Sequence, residues 1–239
     1  MFSIPAPRDA PSIPSTPLLA VVGARGGLGT SSLAVSLAIV ASNHHDRVAL
    51  IDGAPRNGLE VLLGVDEQAG PTWQDLARIE EAGGSALPRR VLSGEDPITV
   101  VAWQDLDPIP VSTVRWAVDL VREHHDLVIA DVGSFDSAAE RQLVEGSGAI
   151  ALVVPGELRA LTHAVHLVPV LLSVAPVHLV VARPSPSGIT DDEVADLLNL
   201  PIAAVLEREP KLAVRGEHSQ LPTRRLRATA QSLLAAVGL

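Results

Sequence analysis

A glycine-rich stretch near the N-terminus constrains the fold of this chain more than any other feature. Residues 23–32 read Gly-Ala-Arg-Gly-Gly-Leu-Gly-Thr-Ser-Ser. They follow a short apolar run, residues 18–22, and lead into residues 31–40, whose apolar side chains recur at helical spacing. In a strand, turn and helix of this kind, backbone N–H groups and the helix dipole converge on an anion. The stretch predicts a phosphate-binding loop; the alternative is a plain glycine-rich turn that binds no ligand.

One position of the loop departs from the usual phosphate-loop pattern, G-x-x-x-x-G-K-[ST]. Where a lysine is expected after Gly29, this chain has Thr30. A threonine hydroxyl carries no positive charge for a phosphate group. The loop is therefore predicted to have the shape of a nucleotide site without its main charge.

Apolar segments alternate with helical segments along the rest of the chain. Seven segments are typical of buried strands: residues 18–22, 47–52, 98–103, 126–133, 149–154, 177–181 and 201–206. This alternation predicts an α/β fold with a mostly parallel sheet of about seven strands and helices on both faces. We expect residues 18–239 to form one domain, and residues 1–17, with five prolines, to form an extended, mobile tail.

Composition excludes several classes of function. The chain of 239 residues has no cysteine, which excludes disulfides, thiol chemistry and cysteine metal sites. It has neither the pattern of a signal peptide nor an apolar run of the roughly 20 residues that span a bilayer, so we expect a cytoplasmic protein. A net charge of −10 and an aromatic content of 2% argue against nucleic acid as a partner.

Two aspartates stand where predicted strands end. Asp52 closes an apolar run, and Asp131 closes another and is followed by Val132 and Gly133. In open parallel sheets, ligands lie at the carboxyl ends of the strands. We therefore predict that Asp131 and the Ser31 hydroxyl hold Mg²⁺. For Asp52, a turn or helix-cap role is the alternative.

The loop resembles the variant phosphate loop of the MinD/ParA superfamily, K-G-G-x-G-K-[ST], which here spans residues 25–31. The resemblance implies ATP and Mg²⁺ as cofactors and a homodimer. The first lysine of the family motif reaches the partner's nucleotide, and Arg25 stands there with its charge retained. The second lysine holds the β- and γ-phosphates, and Thr30 replaces it. The resemblance implies the following nucleotide-binding residues: Gly26, Gly27, Leu28, Gly29, Thr30, Ser31 and Ser32.

Two further family motifs are incomplete in this chain. In the motif D-x-D-P, Asp52 matches the first aspartate, but Ala54 replaces the second, which helps to position the attacking water. After the sixth strand the family often has an Asn-Arg pair that holds adenine; this chain has Ala182 and Arg183. The resemblance therefore implies impaired ATP hydrolysis, with Arg25, Asp52 and Asp131 as candidate catalytic residues and Arg183 as a base contact. An active ATPase with nucleotide-gated dimerisation is the alternative.

A narrower resemblance comes from residues 87–90, 100–103, 206–213 and 216–222, which are similar to CpaE-like, or septum site-determining, proteins. That group is associated with Tad-type secretion and pilus systems. It implies a localisation factor whose partners are a secretion or pilus ATPase or polar and septal proteins, with recruitment to the inner face of the membrane, the pole or the septum. Residues 223–237 are predicted to form an amphipathic helix that packs on the sheet, so any membrane contact is peripheral.

Overall fold

The computed structural model describes residues 16–53, 58–63, 71–84, 86–87, 98–103, 109–185, 187–209 and 221–239. Several sequence predictions lie outside these residues. They concern most of the proline-rich tail, Ala54 of the incomplete aspartate motif, and the CpaE-like residues 88–90, 210–213 and 216–220.

The described residues form seven strands and eight helices. The strands are β1 (Leu18–Gly23), β2 (Val48–Asp52), β3 (Ile98–Val101), β4 (Leu127–Gly133), β5 (Ala149–Pro155), β6 (Val177–Arg183) and β7 (Ile202–Glu207). The helices are α1 (Thr30–Ala41), α2 (Leu59–Leu63), α3 (Trp73–Glu81), α4 (Val111–His124), α5 (Ala138–Glu145), α6 (Leu158–Leu172), α7 (Asp191–Leu198) and α8 (Arg224–Val237). Each strand predicted from the apolar pattern is present.

The strands form one sheet in the order β3-β2-β4-β1-β5-β6-β7, and every neighbouring pair is parallel. Alternate side chains of each strand point to opposite faces, so the sheet supports two cores. Leu19 and Val21 of β1 pack with α1, α2 and α8. Leu18 and Val22 pack with α3 to α7 on the other face. The predicted α/β fold with helices on both faces is confirmed.

The centre of the sheet determines where a ligand would lie. From β1 the chain runs to β2 through α1 on one face, and from β4 it runs to β5 through α5 on the other face. Connections that leave in opposite directions open a crevice at the carboxyl ends of the central strands. The glycine-rich loop follows β1 at this point.

The C-terminal helix α8 buries its apolar face inside the protein. Leu226, Ala230 and Leu233 are at most 1% exposed, and the helix packs against α1 and β7. The predicted packing on the sheet is confirmed. Across the described ranges, no helix is both long enough and apolar enough to cross a bilayer.

Candidate nucleotide site

Three glycines of the loop, Gly23, Gly27 and Gly29, are required by its backbone. Gly27 and Gly29 have φ angles of +74° and +85°, a left-handed conformation that other residues adopt at a cost. A Cβ atom on Gly23 would lie 2.9 Å from the Arg25 carbonyl oxygen and 3.1 Å from Cγ2 of Thr30. The chain can therefore turn this tightly only with glycine at these positions.

Two hydrogen bonds join Ala24, at the start of the loop, to neighbouring elements. The Ala24 N–H donates to the Val153 carbonyl in β5 at 2.9 Å. Nδ1 of His163, in α6, lies 2.8 Å from the Ala24 carbonyl oxygen, and the Nδ1–H tautomer of the ring donates to it. The start of the loop is therefore held by the sheet and by α6.

Helix α1 presents an uncapped N-terminus to the loop. Its N-cap is Gly29, no side chain caps it, and its first turn has no acidic residue. The N–H groups of the first turn and the positive end of the dipole are therefore suited to an anion. Ser31 and Ser32 are partly exposed here, whereas Thr30 is buried, with Cγ2 directed toward Gly23.

Asp131 and Ser31 form the predicted metal pair. The Ser31 hydroxyl donates to the Asp131 carboxylate, which is completely buried. Burial, together with the nearby Glu140 charge, raises the pKa of Asp131 to about 6, although the hydrogen bonds from Ser31 and Gly133 oppose the rise. A buried carboxylate beside a hydroxyl is a donor set that suits Mg²⁺, and a cation there would relieve the cost of the buried charge.

Asp52 lies directly across from Asp131 in the β2–β4 pairing and is 1% exposed. The next residue, Gly53, donates its N–H to the Asp131 carbonyl at 2.8 Å. A Cβ atom on Gly53 would lie 2.5 Å from that carbonyl oxygen. The two predicted carboxylates are therefore brought together by adjacent strands.

Arg25 is paired within its own chain. Its Nε and Nη2 atoms donate to the two carboxylate oxygens of Glu157 at 2.9 and 2.6 Å. The Arg25 hydrogen bond holds the pKa of Glu157 below its ordinary value. Sequence reasoning missed Glu157, although an acidic residue two positions after β5 is similar to the signal that identified Asp52 and Asp131.

A cavity of about 480 Å³ opens on the β5–β7 side of the loop. Its lining includes Arg25, Gly27, Leu28, Gly29, Ser32, Glu157, Ala182 and Arg183. Arg183 pairs with Asp191 through its Nε atom at 2.7 Å and with Glu207 at 3.5 Å. Asp52 and Asp131 do not line this cavity and lie on the β2–β4 side of the loop. The predicted residues therefore form two groups. Ser31, Asp52 and Asp131 form the metal side of the site, and Arg25, Ser32 and Arg183 lie on the cavity side.

The family model for the cellulose biosynthesis protein BcsQ matches residues 16–167. The chain belongs to this family. Together with the fold, the match establishes membership of the MinD/ParA superfamily, as the loop predicted. The narrower CpaE-like grouping remains a prediction.

Solved structures that share the fold include the following three. A ParA family ATPase from Chlorobium tepidum TLS is 18% identical, with 90% of this chain and 96% of that chain covered and a TM-score of 0.76. MinD in the MinC:MinD cell division complex of Aquifex aeolicus is 16% identical, with 92% and 96% covered and a TM-score of 0.75. The septum site-determining protein MinD complexed with Mg-ADP, from Pyrococcus horikoshii OT3, is 17% identical, with 91% and 94% covered and a TM-score of 0.70.

Among curated sequences, the chain is 33% identical over 233 residues to the uncharacterized protein Rv3660c of Mycobacterium tuberculosis. The match covers 93% of this chain and 63% of that protein. The chain thus spans less than two thirds of the length of this relative.

Proposed function

We propose that this chain is a MinD/ParA-type positioning protein that binds ATP and Mg²⁺ weakly and hydrolyses ATP slowly or not at all. The observation that carries the proposal is Thr30. This uncharged, buried residue occupies the position of the phosphate-binding lysine in a loop that otherwise keeps its glycines, its uncapped helix and its Ser31–Asp131 pair. The shape of the site supports nucleotide binding, and the missing charge weakens it.

The residues present would hold the nucleotide as follows. Backbone N–H groups of residues 26–32 would donate to the phosphates, and Ser31 and Asp131 would hold Mg²⁺. When bound, Mg²⁺ neutralises charge on the phosphate oxygens. In the cavity, the side chain of Ala182 offers no hydrogen bond to a base, and Arg183 is paired with Asp191. We therefore expect weak contacts to both the phosphates and the base of the nucleotide.

The proposed positioning role rests on the shared fold and on the resemblance to CpaE-like proteins. The MinC:MinD structure shows that one protein of this fold is found in complex with a partner, and the CpaE-like motifs predict a Tad-type pilus or secretion system or the division site. We infer a homodimer as the acting form and a secretion ATPase or a polar or septal protein as the partner. Such a partner would recruit the chain from the cytoplasm to the inner face of the membrane. Fold similarity supports this role by analogy.

Calorimetric titration of ATP with Mg²⁺ against the native chain, Thr30→Lys and Thr30→Val tests the weakened site. A charged hydrogen bond to a phosphate is worth about 1.5–3 kcal/mol, so Thr30→Lys should bind about 10- to 150-fold more tightly than the native chain. Thr30→Val has nearly the same volume and no added charge, and it should bind like the native chain. A native Kd equal to that of Thr30→Lys would contradict the proposal.

The alternative is a working ATPase whose nucleotide-gated dimerisation drives positioning. Asp52 and Asp131 favour this alternative, because they lie side by side on adjacent strands. The Ser31 hydroxyl also donates to the Asp131 carboxylate. It requires phosphate release by the native chain that stops in Asp131→Ala, together with an ATP-dependent increase in mass in solution. If neither result is obtained, the working ATPase is excluded, and the function is that of a positioning protein that binds ATP weakly.

A further inference from the structure

Two tryptophan side chains donate hydrogen bonds to one backbone carbonyl oxygen on the metal side of the site. The indole Nε1–H groups of Trp73 and Trp103 donate to the Asp52 carbonyl oxygen at 2.7 and 3.0 Å. A carbonyl oxygen has two lone pairs, so the two donors use its full capacity. The chain has only three tryptophans and two phenylalanines, and two of the three tryptophans contact this one atom.

The backbone around these tryptophans brings them together. The Trp73 N–H donates to the Ala102 carbonyl at 2.9 Å, and the Ala102 N–H donates to the Pro71 carbonyl at 3.2 Å. Thr72 and Asp75 form a capping box that sets the start of α3 at Trp73. The two rings lie 6.1 Å apart, centroid to centroid. The indoles are therefore held by secondary structure, with Trp73 only 1% exposed.

The peptide group that receives these bonds joins Asp52 to Gly53. Its carbonyl accepts from both indoles, and its N–H donates to the Asp131 carbonyl at 2.8 Å. Both ends of one peptide plane are thus fixed, which restricts the backbone dihedral that sets the direction of the Asp52 side chain. Phenylalanine at either position would fill space but could not provide the bond.

We propose that Trp73 and Trp103 are positioning residues that hold the Asp52 carboxylate beside Asp131 for the bound Mg²⁺–nucleotide. This inference rests on the proposed function. It links the site to α3 and to the residues that follow β3. Trp73 and Trp103 act through Asp52 and do not contact the nucleotide themselves.

The test compares Trp103→Phe and Trp73→Phe with Trp116→Phe, since Trp116 lies on α4 and packs against the core. The first readout is amide hydrogen exchange of Gly53 in the nucleotide-free protein. We expect exchange at Gly53 to be about 5- to 10-fold faster in the first two variants, with Leu50 and Val21 amides unchanged. In Trp116→Phe, exchange at Gly53 should equal that of the native chain.

The second readout is the ratio of the ATP Kd without Mg²⁺ to the Kd with Mg²⁺, measured in the native and Thr30→Lys backgrounds. Loss of one indole bond should reduce this ratio about 5- to 10-fold and leave the Mg²⁺-free Kd unchanged. An unchanged ratio, or Gly53 exchange equal to that of Trp116→Phe, would overturn the inference. If neither background binds ATP, the proposed function fails, and Gly53 exchange alone then decides whether the tryptophans hold the peptide.

Discussion

Replacing Asp131 by asparagine should stabilise the nucleotide-free protein. The carboxylate is completely buried, and its pKa is raised from 3.8 to about 6. Each pKa unit corresponds to 1.36 kcal/mol, so holding this group ionised costs about 3 kcal/mol of folding free energy at pH 7. Asparagine keeps an oxygen that accepts from Ser31 and removes the charge.

The pH dependence follows from the direction of the shift. Since the folded-state pKa lies above the unfolded value, the contribution of Asp131 to stability is fully present below pH 3.8 and is lost as the pH rises through about 6. The stability advantage of Asp131→Asn should therefore be about 3 kcal/mol at pH 7, about 1.6 at pH 5 and about 0.6 at pH 4. At pH 7 this corresponds to an increase in Tm of about 6–12 °C for a chain of this size.

Urea denaturation at pH 4, 5 and 7, followed by circular dichroism, measures this advantage. Asp196→Asn is the matched control, because Asp196 is exposed on α7 and its removal should change the free energy of unfolding by less than about 0.5 kcal/mol. An Asp131→Asn protein that is less stable than the native chain at pH 7, or an advantage that does not change with pH, would refute the reasoning. The same variant should lose the Mg²⁺ dependence of ATP binding.

Two further substitutions test the loop and the strand ends. Glu157→Gln removes the negative charge paired with Arg25, so ATP should bind about 3- to 10-fold more tightly by calorimetry. Glu123→Gln, on the exposed surface of α4, serves as control, and weaker binding by Glu157→Gln would mean that the pair is needed to hold the loop. Gly53→Ala places a Cβ atom 2.5 Å from the Asp131 carbonyl and should destabilise the fold by about 2–4 kcal/mol in urea denaturation. Gly26→Ala, where a Cβ meets nothing within 4 Å, should change stability by less than 1 kcal/mol, and equal losses in the two glycine variants would contradict the steric argument.

The amino-acid sequence by itself determined the elements and the location of the site. Apolar runs of strand length between helical segments predicted the seven strands and the layered fold, because side-chain periodicity is a local property. The loop of residues 23–32 and the aspartates at the ends of β2 and β4 were recognisable for the same reason. Each lies next to its own strand, and parallel strands bring their carboxyl ends to one edge.

Only the tertiary structure decided which of these residues meet. Arg25 pairs with Glu157, 132 positions away, and the strand order puts Asp52 across from Asp131 and the cavity on the opposite side of β1. Trp73 and Trp103 belong to different segments of the sequence, and only the folded chain directs both indoles at one carbonyl oxygen. The periodicity of a segment records which face is buried but not which distant segment covers it. Contacts of long sequence separation, and the raised pKa of the buried Asp131, therefore exist only once the sheet is assembled.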